Sequence, residues 1–289
     1  MMKKLSFVVG LALVFACGAS AEVITFQQGV SPTASYAGTA DAHIISWDGG
    51  QNQLSRPPVD TPQNTGGHVY IEQGDYGTTY PLYNDSKVIL IKFDVSSIPA
   101  ARAARVKNAK LGLFFVYERQ AGGSGSGPTN PAAGQKNPHF LSTQKILKPW
   151  DEGNGGATSG VDGDNAPDNS GAVTWNSTGR ELWEAIGAEG PTDVGPVESR
   201  TWFDPSKLNA WLWLDITQMA KEWIASPASN NGMKVSQETD NIATNDPSPY
   251  VGGAYNFASR NNATAANRPQ LVIDLFADSG VSSEWSIYQ

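Results

Sequence analysis

Three groups of side chains in this sequence have the composition to do chemistry. The first is Gly74-Asp75-Tyr76-Gly77-Thr78-Thr79-Tyr80-Pro81-Leu82-Tyr83, which sets three tyrosines among turn-forming residues. No alternation tucks these rings inward, and a phenol ring offers a flat apolar face with a polar edge, the surface on which the C–H face of a sugar stacks. Tyr76, Tyr80 and Tyr83 are therefore ligand-binding candidates, with packing over a sheet edge as the alternative. The second is Asp162-Gly163-Asp164-Asn165-Ala166-Pro167-Asp168-Asn169. Asp162, Asp164 and Asp168 present carboxylate oxygens at short intervals, as a hard cation such as Ca²⁺ requires. The loop lacks the glycine and terminal glutamate of an EF-hand, and a solvated, turn-rich loop is the other reading. The third is Asp41 with Asn64-Thr65-Gly66-Gly67, a polar cluster whose simplest explanation is a side chain bonding nearby backbone N–H groups.

Catalytic signatures are not found in the sequence. His43, His68 and His139 show no metal-pair spacing, and no nucleophile elbow, P-loop or dinucleotide fingerprint occurs. A histidine general base needs a partner group, and none is identifiable here, so His43 and His68, in or beside expected strands, read as structural. Twenty-eight acidic residues could always supply a carboxylate pair for glycoside hydrolysis, so that possibility discriminates nothing. The expectation is a protein without an active site.

The elements that position these groups read as strands. In Lys87 to Val95, Ile89, Ile91, Phe93 and Val95 share one face while Val88 and Leu90 make the other apolar too, the mark of a central strand. Ala109, Leu111, Leu113, Phe115 and Tyr117 share a face, as do Leu271, Ile273 and Leu275. Trp211-Leu212-Trp213-Leu214 alternates an aromatic with an aliphatic face, and the regular spacing places Trp211, Trp213 and Trp223 in the core. Weaker strands are expected at Asp41 to Trp47, His68 to Gln73, Phe140 to Leu147, Gly232 to Ser236 and Ala254 to Ser259. Trp150, Trp175, Trp183 and Trp202 fall in a long central insertion and fit either core or surface. One helix is expected, from Met219, Ala220, Trp223 and Ile224 at helical spacing, capped by Thr217 or Asp215 and closed by Pro227. The segments 121–134 and 152–171 are long, Gly-rich connections. The fold class is all-β: an antiparallel two-sheet sandwich with one short helix and long loops.

Composition agrees. The 289 residues begin with Lys3-Lys4, an apolar run from Leu5 to Ala16 and the small residues Ala19-Ser20-Ala21, the three-part layout of a secretory signal over residues 1–21. That run is too short to span a bilayer core of about 30 Å, so no membrane span is expected. Val14-Phe15-Ala16-Cys17 also resembles a lipoprotein signal, although Phe15 stands where a small residue is usual; the expected location is secreted or cell-surface. Cleavage after Ala21 removes the single cysteine, so the mature chain forms no disulfide. It also removes two of the 20 basic residues, leaving 18 against 28 acids and a net charge of −10. Nucleic acid, which calls for a basic footprint, is excluded as a partner. A single domain over 22–276, followed by a tail at 277–289, suits this length.

In order along the chain stand Asp41-Ala42-His43-Ile44, Asn64-Thr65-Gly66-Gly67, Ile91-Lys92-Phe93-Asp94-Val95-Ser96-Ser97-Ile98-Pro99, Ala109-Lys110-Leu111-Gly112-Leu113, Pro149-Trp150-Asp151-Glu152-Gly153 and Val173-Thr174-Trp175-Asn176. Asp215-Ile216-Thr217, Glu222-Trp223, Asn230-Asn231-Gly232-Met233, Phe257-Ala258-Ser259-Arg260 and Asn267-Arg268-Pro269-Gln270-Leu271 follow. Taken together over about residues 35 to 276, these pieces resemble the DNRLRE-domain family, which includes a class of carbohydrate-binding modules. The resemblance implies a jelly-roll sandwich and a non-catalytic role, often beside polysaccharide-degrading enzymes, and relatives are associated with acidic polysaccharides such as alginate. It makes a polysaccharide the expected partner. A chain at −10 meets a polyanion only through a local basic cluster, for which Arg56, Lys136, Lys145 and Lys148 are the candidates, or through bridging Ca²⁺. Arg260 and Arg268 are expected to pair with acids or loop carbonyls. The competing readings are an extracellular structural or adhesive protein, and a polysaccharide lyase or hydrolase on the same fold.

Overall fold

The computed structural model describes residues 21–45, 64–75, 87–119, 138–155, 171–237 and 253–277. Through them run β1 (Glu22–Gln27), β2 (Thr39–Ile45), β3 (Tyr70–Asp75), β4 (Lys87–Phe93), β5 (Val106–Arg119), β6 (His139–Ile146), β7 (Val194–Phe203), β8 (Ala210–Asp215), the helix α1 (Thr217–Ala225), β9 (Met233–Gln237), β10 (Gly253–Ala258) and β11 (Gln270–Leu275). Every strand pair among them is antiparallel. The order is β1-β11-β5-β10-β3-β4-β9-β6-β7, with β2 added to β4 and β8 to β5. This strongly curled sheet is the all-β, sandwich-like fold that the alternating segments predict. Among the described residues, β3 and β4 pair at Gly74–Lys87. There the Lys87 ammonium lies 2.7 Å from the Glu72 carboxylate with both side chains buried.

The strand β4 shows why its sequence is apolar on both faces. Ile89, Ile91 and Phe93 enter the main core with Leu111, Leu113, Phe115, Val235, Phe257 and Leu271, drawn from β5, β9, β10 and β11. Val88 and Leu90 enter a second core with Ala42, Ile44, Ile146, Trp150, Val173, Trp183 and Val194. The central insertion thus lies across the outer face of the β2-β4 side, and Trp150 and Trp183 are its buried anchors while Trp175 packs half-buried against them. Buried side chains of this size each contribute about 1.5–3 kcal/mol.

The helix α1 buries Met219, Ala220, Trp223 and Ile224, the stripe read from the sequence. Of the two residues expected to cap its start, Asp215 accepts a helix amide and Thr217 does not. The Thr217 hydroxyl accepts from Ala109 N–H at 3.0 Å, and the Asp215 carboxylate takes the Thr217 N–H (2.9 Å) and hydroxyl (2.7 Å). The next free amides, Gln218 and Met219, donate to the Glu198 carboxylate of β7 at 2.7 and 2.9 Å. A carboxylate there satisfies orphan donors and the positive end of the helix dipole.

Two strands were not anticipated. The segment β1 pairs along its length with β11, from Glu22–Leu275 to Gln27–Gln270. The strand β7 contains Gly195-Pro196 and pairs with β6 through register shifts near Gln144, which erases any clean alternation. Among the described residues, no helix is long and apolar enough to cross a membrane. Residues 1–20 and 278–289, with the proposed signal, Cys17 and most of the tail, lie outside the described residues.

Candidate functional site

Strand β8 carries exposed aromatic surface. Its register sets Leu212 opposite Leu113 and Leu214 opposite Leu111, so the aliphatic face joins the core. Trp211 and Trp213 then point away from the core, and Trp213 is 38% exposed. This corrects the expectation that both are core; Trp223 is fully buried, as its spacing indicates. Alternation marks two faces, and only the partner strand decides which turns inward.

Geometry makes this face a platform. The Trp211 and Trp213 rings stack with centroids 5.5 Å apart and planes 28° from parallel. Phe114, the register partner of Trp211 on β5, meets it edge-on at 5.4 Å. Trp213 lies over its own partner Gly112, where a Cβ would fall 2.6 Å from the ring. Nearby on β7, Trp202 is 45% exposed and is backed edge-on by Phe140 at 4.9 Å. Between Trp202 and Trp211 runs a groove floored by Phe115, Phe203 and Leu212, with Asp204 and Lys207 from the β7–β8 turn on its lining.

The polar residues gather elsewhere. Asp41 and Asn64-Thr65-Gly66-Gly67 do come together, around Glu152 and Arg260. The Asn64 amide donates to Glu152 O (2.7 Å) and Val173 O (3.1 Å), and its oxygen accepts from Gly155 N–H (2.8 Å). The Thr65 hydroxyl donates to His43 O (2.7 Å) and accepts from His43 N–H (2.8 Å). Asp41 N–H donates to Glu152 Oε1 (2.7 Å), Asp41 Oδ2 accepts from Arg260 N–H (2.6 Å), and the Arg260 guanidinium pairs with Glu152. Gly153 turns the chain here at φ 71°, a conformation that favours glycine. Burial, with the Glu152 charge beside it, pushes the Asp41 carboxyl up to about 8. Burial raises Glu152 too, against the pull of Arg260. Asp41 is 1% exposed and its Oδ1 has no hydrogen-bond partner. The cluster is a clasp joining four distant segments, with Asp41, Asn64 and Thr65 buried and Glu152 and Arg260 partly exposed.

The sequence-derived ligand candidates Tyr76, Tyr80, Tyr83 and Arg56, together with Lys136, lie outside the described residues, as do the metal candidates Asp162, Asp164 and Asp168. Lys145 pairs with Glu222, and Lys148 lies 2.9 Å from Asp193, so each of these two cations already has a carboxylate. Arg268 donates to the carbonyls of Asn262 (2.9 Å) and Gln28 (3.0 Å), as expected. His43, His68 and His139 are buried. Among the described residues, no group of three or more His, Cys, Asp or Glu side chains is arranged to hold a metal. No protein-family model matches this chain, and no curated protein sequence matches it.

Proposed function

We propose that this is a secreted, non-catalytic protein that binds a polysaccharide. The observation that carries the reading is the stacked Trp211–Trp213 pair, held facing away from the core on a paired strand. Sugar C–H faces stack on such rings, and rings fixed by a sheet lose little freedom on binding. The resemblance to DNRLRE-domain modules points the same way, and the signal-like residues 1–21 supply the route out of the cell. On this reading Tyr76, Tyr80, Tyr83 and Arg56 add ligand contacts, and Asp162, Asp164 and Asp168 hold a Ca²⁺ ion.

A glycan array with residues 22–289, run with calcium and with chelator, tests the proposal. Saturable binding to one polysaccharide class, with no new reducing ends or unsaturated products, is the expected result. A blank array alongside concentration-dependent self-association would replace it with the adhesive reading. Depolymerised glycan would replace it with an enzyme.

A further inference from the structure

The charge around the tryptophan face narrows the class of ligand, on the footing of the carbohydrate reading above. Lys110 stands opposite Asp215 in the β5–β8 register, and Lys207 lies 3.9 Å from Asp204 at the groove. Each of these two lysines has an acid beside it. A track for a polyanion needs positive charge in excess. Among the described residues, four cations elsewhere are already paired: Lys145 with Glu222, Lys148 with Asp193, Arg180 with Asp151 and Arg260 with Glu152. A uronate chain on this face would set its carboxylates against Asp204 and Asp215.

An uncharged sugar ring fits what is present. Its two faces are apolar and its edge carries hydroxyls. The groove has an apolar floor of Phe115, Phe203 and Leu212, two indole walls, and one acceptor and one donor group in Asp204 and Lys207. The Asp204 side chain is held in place by accepting Ser206 N–H at 3.0 Å, while the Lys207 side chain is 74% exposed. The geometry points to a cleft for a neutral polysaccharide: one sugar between Trp202 and Trp211, its hydroxyls read by Asp204 and Lys207, and a neighbouring sugar on Trp211 and Trp213.

Affinity electrophoresis of residues 22–289 in native gels containing galactomannan, xylan, hydroxyethylcellulose or alginate tests this. At least one neutral gel should retard the protein, and added salt should leave the retardation in place. Trp202→Ala and Trp211→Ala should each weaken it about tenfold, a loss of about 1.4 kcal/mol. Trp202→Phe, which keeps a ring, should recover most of the binding and so separate lost stacking from lost fold. Retardation by alginate alone, abolished by salt, overturns the inference while leaving a carbohydrate-binding protein. So does neutral-glycan binding that neither tryptophan variant alters. No retardation in any gel removes both readings together.

Discussion

The Trp213 indole lies against its β5 partner Gly112 so closely that a single added methyl would sit 2.6 Å from the ring. A glycine inside a strand commonly marks such an approach. Gly112→Ala should tilt Trp213 off the sheet, open its stack with Trp211 and weaken glycan binding severalfold. Stability should move by no more than about 1 kcal/mol, since Ala is tolerated in a strand at least as well as Gly. Binding isotherms and urea melts of the same variant separate the two effects.

The tryptophans divide by what they touch, and truncation should show it. Trp150 is 1% exposed, anchors the second core and donates to Asn231 O at 2.8 Å. Trp150→Ala should cost about 3–5 kcal/mol. Trp202→Ala, at the surface, should stay near ±0.5 kcal/mol. Equal losses in thermal unfolding would mean that Trp202 is structural too.

Much of the architecture is legible because one buried face imposes period two. The strands β4, β5, β8 and β11 fall out of Ile89-x-Ile91, Leu111-x-Leu113, Leu212-x-Leu214 and Leu271-x-Ile273. The strand β7 is not legible, because Gly195-Pro196 and its shifted register break the alternation. The outward turn of Trp211 and Trp213 is hidden for a different reason. Both faces of β8 are apolar, and the room for the Trp213 indole outside comes from Gly112 across the ladder. In the clasp, Asp41 and Asn64 could be paired by residue type. Glu152 and Arg260 arrive from 111 and 219 residues beyond Asp41, a distance over which no local pattern operates.

The clasp sets a pH dependence. An unfolded Asp titrates near 3.9, whereas folded Asp41 is pushed up to about 8 by burial and the neighbouring Glu152. Between those values the folded chain holds a proton that the unfolded chain releases, so stability falls as pH rises from about 4 to about 8. Glu152, also raised, acts in the same direction. Asp41→Asn keeps an acceptor for Arg260 N–H and cannot ionise. Its urea midpoint should fall less steeply over that window, and parallel slopes for variant and wild type would contradict the assignment.

The cap supplied by Glu198 is a tertiary contact with a local effect. Its carboxylate takes two helix amides, Gln218 and Met219, from across the fold. Glu198→Ala should destabilise by about 1 kcal/mol, in the range of lost helix caps. Faster amide exchange confined to the first turn of α1 would locate the loss.

The most direct measurement is titration calorimetry of the array-identified polysaccharide against wild type and a Trp211→Ala/Trp213→Ala double variant. Saturable heat for the wild type, with none for a double variant that still unfolds cooperatively, is the predicted result. Equal binding by a folded double variant would contradict the claim that this tryptophan face is the carbohydrate site.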